Sequence, residues 1–227
     1  MTLDNTPPAA IADDLEQVIA AQWAAELKHR PHLFNGTVAV LHHATSHCLQ
    51  GALTEYRRFL TQVRQPRLRP RLDLMQLAVA ARIDLDDGIL VARRGAHLST
   101  FQHWWEFPSG ALDQRAIGAD GQGDLVAQLR WELSEELGLS PREYSLPRPH
   151  ALVVDPRLAV AAVILALRLP LSLSALQERF VLHPQPEHTA LAVLPRNAPL
   201  QGAPWGQGRL TPVYRRYLQR LVHLPPL

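Results

Sequence analysis

The sequence lacks the features of a disulfide-bonded or membrane-spanning protein. Cys48 is the single cysteine among 227 residues, which excludes an intrachain disulfide and a metal site built from several cysteines. No apolar run reaches the roughly 18 residues that a transmembrane helix needs. The first residues include Asp4, Asp13 and Asp14 but no basic segment ahead of an apolar one, which argues against a signal peptide. We therefore expect a cytoplasmic protein that does not enter a membrane.

A strong excess of one charge is also missing. The net charge is +2, and Lys28 is the only lysine among 23 basic residues. Arginine suits contacts with phosphate and planar bases, but no segment combines dense basic residues with aromatic ones as a nucleic-acid groove does. The 11 histidines are scattered, without the spacing of a zinc-binding helix. We expect no nucleic-acid partner.

The chain has enough apolar residues for a real core, since 47% of its 227 residues are hydrophobic. We predict an N-terminal extension over residues 1–70, consisting of a helix, a strand or hairpin and a second helix. It packs on a main domain over residues 71–227 that ends in a C-terminal helix.

Hydrophobic periodicity predicts strands and helices in mixed order. Helices are predicted at residues 11–29, 53–60, 176–180 and 211–224, with another between Asp124 and Gly138. Strands are predicted at residues 33–41, 74–83, 89–93, 151–154, 158–169 and 190–194. Asn35-Gly36 and Asp87-Gly88 have the chemistry of hairpin turns. The sequence therefore predicts an α/β fold.

Three carboxylates stand at helical spacing just before a glycine. On a helix, Glu132 and Glu136 lie about 40° apart and Glu135 lies about 60° to the other side, so the three reach one patch. Like charges this close repel by roughly 0.2–0.5 kcal/mol per pair on an open surface, and a divalent cation offsets the repulsion. Mg²⁺ or Mn²⁺ suits oxygen ligands best. The alternative is a solvated acidic face.

The helix that carries these acids is well specified. Asp124 is a plausible N-cap, and Gly138 suits the left-handed position after the last turn. Four apolar residues form a core stripe at helical spacing: Val126, Leu129, Leu133 and Leu137. We therefore expect the acids at the rim of a core. Ser140 and Glu143 form the pattern of a capping box for a further helix.

The stretch Trp104–Asp113 and the helix that follows it resemble the Nudix hydrolase signature, a glycine loop followed by a helix reading R-E-U-x-E-E-x-G-U with U apolar. Gly110 fits the signature glycine, and Asp113 stands where a glutamate is common. The matching helix positions are Glu132, Glu135, Glu136, Gly138 and Leu139. The resemblance implies a Nudix-type α/β/α sandwich with a mixed sheet. It also implies metal-dependent hydrolysis of a nucleoside diphosphate linked to another moiety.

Two features depart from the signature. Residues 114–122 carry an insertion of about seven residues, whose glycines suit a flexible loop. Trp131 occupies the position of an arginine that, in the family, pairs with the glutamates and orients them. Gln128, four residues before Glu132, is placed to donate a hydrogen bond instead, although less firmly than a guanidinium. A catalytically impaired nucleotide-binding protein is therefore an alternative to an active enzyme.

The resemblance suggests roles for the acidic residues. Glu132 and Glu136 are the first-choice ligands of Mg²⁺ or Mn²⁺, and Glu135 is a third ligand or a catalytic base. The backbone carbonyl of Ser109 completes the ligand set. Glu187, just before a predicted strand, is a second candidate base, because some Nudix enzymes carry the base on a loop. An ordinary surface residue is the alternative for Glu187.

Candidates on the substrate side rest on residue type alone. Arg67, Arg69 and Arg71 alternate with other residues and would share one face of an extended segment. The selected candidates for substrate contact are Arg71, Arg93, Trp105 and Asp113. The alternatives are solvated arginines, a tryptophan in the core and, for Asp113, a turn-capping carboxylate or a water-mediated metal contact.

A weaker resemblance bears on the substrate. Phe34-Asn35-Gly36, followed by the segment from Thr54 to Leu60, is similar to the Nudix branch that contains UDP-sugar-cleaving enzymes. It favours an NDP-sugar, in particular a UDP-sugar, with ADP-ribose as the alternative. A homodimer is compatible with the sequence, which does not define the oligomeric state.

Overall fold

The protein has a mixed α/β architecture, which confirms the predicted fold class. The computed structural model describes residues 2–4, 11–98, 100–182, 187–197 and 209–221, with residues 2–4 and 221 described by their backbone alone. Its strands pair both parallel and antiparallel. Across these ranges, no helix combines the length and apolar character needed to cross a membrane.

The helices and strands of the described residues follow one another in mixed order. The α-helices are α1 Asp13–His29, α2 Tyr56–Arg64, α3 Arg69–Leu72, α4 Leu125–Leu137, α5 Leu173–Val181 and α6 Pro212–Leu221. The strands are β1 Thr2–Asp4, β2 Thr37–Ala44, β3 Leu49–Glu55, β4 Gln76–Asp84, β5 Ile89–Arg94, β6 Trp105–Glu106, β7 Ser109–Ala111, β8 Arg148–Asp155, β9 Val160–Arg168 and β10 His188–Leu194. Short 3-10 turns occur at Pro66–Leu68 and Gln114–Ala116.

Contacts group the chain into two compact units. The first comprises Met1–Ala78, Ala111–Leu125 and Pro156–Ala161. In it, β3 pairs antiparallel with β2 and parallel with β1. A small apolar cluster of this unit contains Leu15, Ile19 and Leu68. The division at residue 70 into an extension and a main domain stays a prediction.

Of the strand or hairpin predicted at residues 33–41, the strand is confirmed as β2, whereas no hairpin turn forms at Asn35-Gly36. These residues precede β2, and the turn between β2 and β3 lies at residues 45–48. The Asn35 side chain instead accepts a hydrogen bond of 2.9 Å from the backbone N–H of Arg57 and donates one of 3.1 Å to Glu55. Asparagine serves local side-chain bonding of this kind as readily as it serves turns.

Two further predictions in this unit need correction. The helix predicted at residues 53–60 begins only at Tyr56, because the preceding residues extend β3. Residues 66–72 are helical, so the arginines in this segment do not share the face of a strand. Arg71 forms an ion pair of 2.8 Å with Asp14, and Arg69 donates to the carbonyl of Pro156 at 3.0 Å.

The second unit comprises Val79–Gly110, Val126–Asp155 and Ala162–Leu227. The predicted hairpin before Gly88 is confirmed, since Leu85 donates its N–H to the carbonyl of Gly88 at 2.8 Å. On β5, further antiparallel pairing joins β6 and β10. The predicted strands at residues 151–154, 158–169 and 190–194 correspond to β8, β9 and β10, and the predicted helix at residues 176–180 corresponds to α5.

Helix α4 forms as predicted from its apolar stripe and its glycine stop. Leu129, Leu133 and Leu137 are buried, whereas Val126 is half-buried. Gly138 has a φ of 64°, the left-handed conformation that glycine adopts without steric cost. Beyond it, Ser140 donates its N–H to Glu143 at 2.7 Å, but this capping interaction closes a turn rather than a helix.

Candidate active site

Four acidic side chains of the second unit interact electrostatically and are called the acidic centre below. Glu132 and Glu136 come from α4, Glu106 comes from β6, and Glu187 immediately precedes β10. The negative charges of Glu132, Glu106 and Glu187 all act on Glu136. Elements distant in sequence therefore bring several carboxylates to one place.

Glu132 is held between a glycine and a glutamine. A Cβ atom built on Gly110 would lie 1.9 Å from Oε1 of Glu132, so the carboxylate rests directly against the glycine backbone. Gln128 is buried and donates a hydrogen bond of 2.6 Å from Nε2 to the same oxygen. The prediction that Gln128 supplies a hydrogen bond to a glutamate of this helix is confirmed.

Glu136 is a buried carboxylate whose two oxygens make no hydrogen bond of ordinary geometry. Its residue is 4% exposed. Burial raises the pKa of Glu136 well above its usual value, and the charges of Glu132, Glu106 and Glu187 raise it further, against a small lowering by the backbone N–H of Ser109. Such a group is costly unless a proton, a donor or a cation compensates it.

The expectation that the acids lie at the rim of the core is wrong for Glu136. Glu136 follows Leu129 by seven positions and Leu133 by three, so it lies on the same buried face of α4 as these leucines. Glu132 is half-buried and Glu135 is exposed. The helix therefore presents its three acids at three different depths.

The acidic centre fits a hard divalent cation by its donor chemistry. Carboxylate oxygens and the carbonyl of the half-buried Ser109 are the ligand types that Mg²⁺ and Mn²⁺ prefer. A cation would stabilise the buried carboxylate of Glu136, whose two oxygens have no hydrogen-bond partner of ordinary geometry. Within the described ranges, however, no three His, Cys, Asp or Glu side chains are already arranged to enclose a metal ion. Side-chain rotation of the glutamates would have to complete such a shell.

Sequence reasoning missed Glu106 and His188 and gave Arg94 no separate role. Glu106 is 5% exposed and accepts a hydrogen bond of 2.5 Å from Nη1 of Arg94. His188 is 1% exposed, with Nε2 at 3.2 Å from Oε1 of Glu106 and Nδ1 at 3.8 Å from Oε2 of Glu136. For Glu106 a signal was present in the sequence: the glutamate lies between Trp105 and Phe107, where an unpaired charge is disfavoured.

The remaining predicted catalytic residue, Glu187, is exposed, and its backbone carbonyl accepts a hydrogen bond of 2.7 Å from Gly95. Its charge acts on Glu136, which raises the pKa of that carboxyl. It therefore remains a candidate base.

The predicted substrate contacts have local structural roles. Arg93 donates to the carbonyl of His103 at 3.3 Å. Trp105 is 7% exposed, so its ring belongs to the core and offers little surface to a ligand. Asp113 accepts a hydrogen bond of 2.7 Å from the N–H of Arg115 and caps a 3-10 turn, as the turn-capping alternative predicts. Arg71 and Asp113 belong to the first unit, and the substrate roles of these four residues stay predictions.

No protein-family model matches the sequence, and no curated protein matches it. Solved structures that match the chain include proteins named as NUDIX hydrolases and as ADP-ribose pyrophosphatases. The MutT protein of Methanosarcina mazei Go1 is 17% identical, with 65% of this chain and 93% of that chain covered and a TM-score of 0.43. A NUDIX hydrolase from Nitrosomonas europaea is 14% identical, with coverages of 66% and 74% and a TM-score of 0.44.

A third match is a bifunctional NMN adenylyltransferase/ADP ribose pyrophosphatase from Francisella tularensis. It is 13% identical, with 72% of this chain and 45% of that chain covered and a TM-score of 0.49.

Proposed function

We propose that the protein is a metal-dependent hydrolase that cleaves the pyrophosphate of a nucleoside diphosphate linked to another moiety. The observation that carries the proposal is Glu136, a buried carboxylate with two unpartnered oxygens inside the acidic centre. The order of Gly110 and the helix acids, which resembles the Nudix signature, supports the same reaction class.

The proposed metal ligands come from α4 and β7. Glu132 and Glu136, with the carbonyl of Ser109, would hold Mg²⁺ or Mn²⁺. When bound, such an ion supplies positive charge to the phosphate oxygens and helps to generate the nucleophile. Gln128 fixes the carboxylate of Glu132 by its hydrogen bond of 2.6 Å, and Gly110 leaves that carboxylate its space.

Burial of Glu136 keeps water away from its carboxylate and strengthens the local electrostatics. The proton of the attacking water would pass to a carboxylate, acting as a base, that solvent and substrate can reach. Glu187 and Glu135 are both exposed and are the two candidates. The charge of Glu187 acts on Glu136, which favours Glu187.

For the substrate, we propose an NDP-sugar or ADP-ribose. The acidic centre acts on the pyrophosphate that both share, so it does not distinguish the base or the sugar. The resemblance around Phe34-Asn35-Gly36 favours a UDP-sugar, and ADP-ribose fits the site chemistry equally well. The cytoplasmic location and the homodimer expected from the sequence stay predictions.

The test is a panel of NDP-sugars, ADP-ribose, dinucleoside polyphosphates and nucleoside triphosphates, incubated with Mg²⁺ or Mn²⁺ and analysed for product identity. We expect release of a nucleoside monophosphate and a phosphorylated second moiety. Glu136→Gln should abolish most of this activity, whereas Glu178→Gln, which changes an exposed acid of the same unit, should retain it. An inactive wild-type protein would refute the hydrolase proposal.

A second candidate function is nucleotide binding without efficient hydrolysis. It is favoured by Trp131 at the signature arginine position and by the lack of a ready-made metal-ligand group among the described residues. Calorimetric binding of a panel member without release of any product would support this function over catalysis.

A further inference from the structure

His188 occupies a buried position that the reaction outlined above does not use. On β10 it pairs with Arg94 of β5, and the register then shifts before Ala190, which marks a β-bulge. A bulge re-aims a side chain relative to the regular alternation of a strand. Glu106 of β6 pairs with Ala92, two residues before Arg94, so Glu106, Arg94 and His188 share one face of the paired strands.

The side chains on this face form a chain of contacts that ends at α4. Arg94 donates to Glu106 at 2.5 Å, and Nε2 of His188 lies 3.2 Å from the same carboxylate oxygen. On the other side of the ring, Nδ1 lies 3.8 Å from Oε2 of Glu136. Neither Nδ1 nor the two oxygens of Glu136 has a hydrogen-bond partner. Two unpartnered buried polar atoms therefore face each other just beyond hydrogen-bond distance.

Helix α4 offers Glu136 no cation. Its single basic residue, Arg130, is exposed, whereas Glu136 is buried. Groups from other elements lie near this carboxylate: the backbone N–H of Ser109 on β7 and the imidazole of His188 on β10, whose far nitrogen lies beside Glu106.

We propose that His188 is a positioning residue: its imidazole, anchored at Nε2 by Glu106 and indirectly by Arg94, lies against the carboxyl group of Glu136 with Nδ1 and limits the orientations that this group adopts. An effect of His188 on catalysis depends on the hydrolase function proposed above. The contact between His188 and Glu136 does not depend on that function. The ring spans the two carboxylates, and removal of either one changes the environment of a different nitrogen.

An atom-resolved experiment tests this contact. In full-length protein labelled with nitrogen-15, correlations within the imidazole rings are recorded at one pH, without metal and with Mg²⁺, and His188→Gln assigns the His188 signals. We expect Glu136→Gln to shift mainly the Nδ1 signal and Glu106→Gln to shift mainly the Nε2 signal. An unchanged Nδ1 signal in Glu136→Gln would overturn the proposal.

A kinetic experiment tests the consequence. His188→Gln should lower kcat and the affinity for Mn²⁺ by about tenfold each, with a much smaller change in KM, because supporting partners of metal ligands typically have effects of this size. His150→Gln serves as the matched control, since His150 is a half-buried histidine of the same unit whose ring contacts Tyr217. Equal effects of the two substitutions on kcat and on Mn²⁺ affinity would show a merely structural role.

The outcomes separate the two proposals. If the wild-type protein cleaves no member of the panel, the hydrolase function fails, yet the nitrogen-specific shifts and the Mn²⁺ titration still decide the role of His188. If cleavage occurs but His188→Gln keeps full kcat and full Mn²⁺ affinity, the function stands and the positioning role is wrong. Should His188→Gln fail to fold, the shifts in Glu106→Gln and Glu136→Gln decide the proposal, with the His188 signal identified as the one that both variants move.

Discussion

The carboxylate of Glu132 rests on the backbone of Gly110, so that a Cβ atom at position 110 would lie 1.9 Å from Oε1 and 2.2 Å from the carboxyl carbon. Gly110 is not among the residues with positive φ, so its importance here is space rather than backbone freedom. This close approach ties the glycine of the loop to the first acid of α4.

Gly110→Ala should therefore cost activity rather than stability. The added methyl group displaces the end of a flexible side chain, and we expect Mn²⁺ affinity and kcat to fall by about tenfold while the melting temperature changes little. Gly118→Ala is a matched control, because its Cβ would also meet the end of an acidic side chain, Asp120, at 2.7 Å. Unchanged kinetics in Gly110→Ala would show that the position of Glu132 does not matter.

Gln128→Met should weaken the orientation of Glu132 while filling the same buried space. A hydrogen bond to a charged group contributes about 1.5–3 kcal/mol, which corresponds to a loss of roughly 10- to 100-fold in kcat/KM if it acts fully in the transition state. Steady-state kinetics and thermal unfolding of the two proteins provide the measurement. Wild-type kcat/KM in a stably folded variant would contradict the expected role of Gln128.

Glu136→Gln should change stability and activity in opposite directions. Replacing a buried, unpartnered carboxylate by a neutral amide removes the cost of burying a charge near three others. We expect the melting temperature of the metal-free protein to rise, the increase on adding Mn²⁺ to disappear, and most activity to be lost. A lower melting temperature without metal would show that this carboxylate stabilises the fold.

The sequence predicts α4 well because the information is local. All of its signals lie within one segment: the spacing of the leucines, the N-cap candidate Asp124 and the stop at Gly138. The hydrogen bond from Gln128 to Glu132 follows from their separation of four positions along the helix. The hairpin before Gly88 is predictable for the same reason.

The rest of the site depends on contacts between distant segments. Glu106 and His188 meet through the register of three strands and a bulge on β10, which no local pattern encodes. Arg69 and Arg71 illustrate a local error, because alternation suggests an extended segment where Pro66 and Pro70 instead stand in the first two positions of short helical turns. Asn35 shows that turn-forming residues also serve side-chain bonding.

Glu26 should govern part of the acid sensitivity of the fold. Burial acts to raise its pKa, but the hydrogen bond from Arg64 at 2.6 Å and the charges of Arg64 and Arg30 outweigh burial and hold the pKa below its usual value. A carboxyl whose folded pKa is lowered stabilises the protein above its unfolded pKa, and this contribution disappears as the pH falls through the folded value.

Urea unfolding at about pH 5 and about pH 3 measures this contribution. We expect Glu26→Gln to be less stable than wild type at the higher pH and to lose less of its stability on acidification. Glu178→Gln, at an exposed position, should follow the wild-type profile. Parallel profiles for Glu26→Gln and wild type would show that the pair with Arg64 contributes nothing.

Trp131→Arg tests whether the missing arginine limits the site. Trp131 is half-buried and lies one helical turn before Glu135 and one residue before Glu132, so a guanidinium there can reach the acids of α4 while remaining partly solvated. A charge-assisted hydrogen bond is worth roughly 1.5–3 kcal/mol when well placed. We expect the substitution to be tolerated, to raise Mn²⁺ affinity and to increase turnover at least mildly.

Trp131→Gln removes the indole without adding a charge, so it separates the effect of losing the indole from the effect of gaining the guanidinium. A large fall in melting temperature in both variants, with no gain in Mn²⁺ affinity for Trp131→Arg, would reject the prediction and identify the indole as a packing element of this helix.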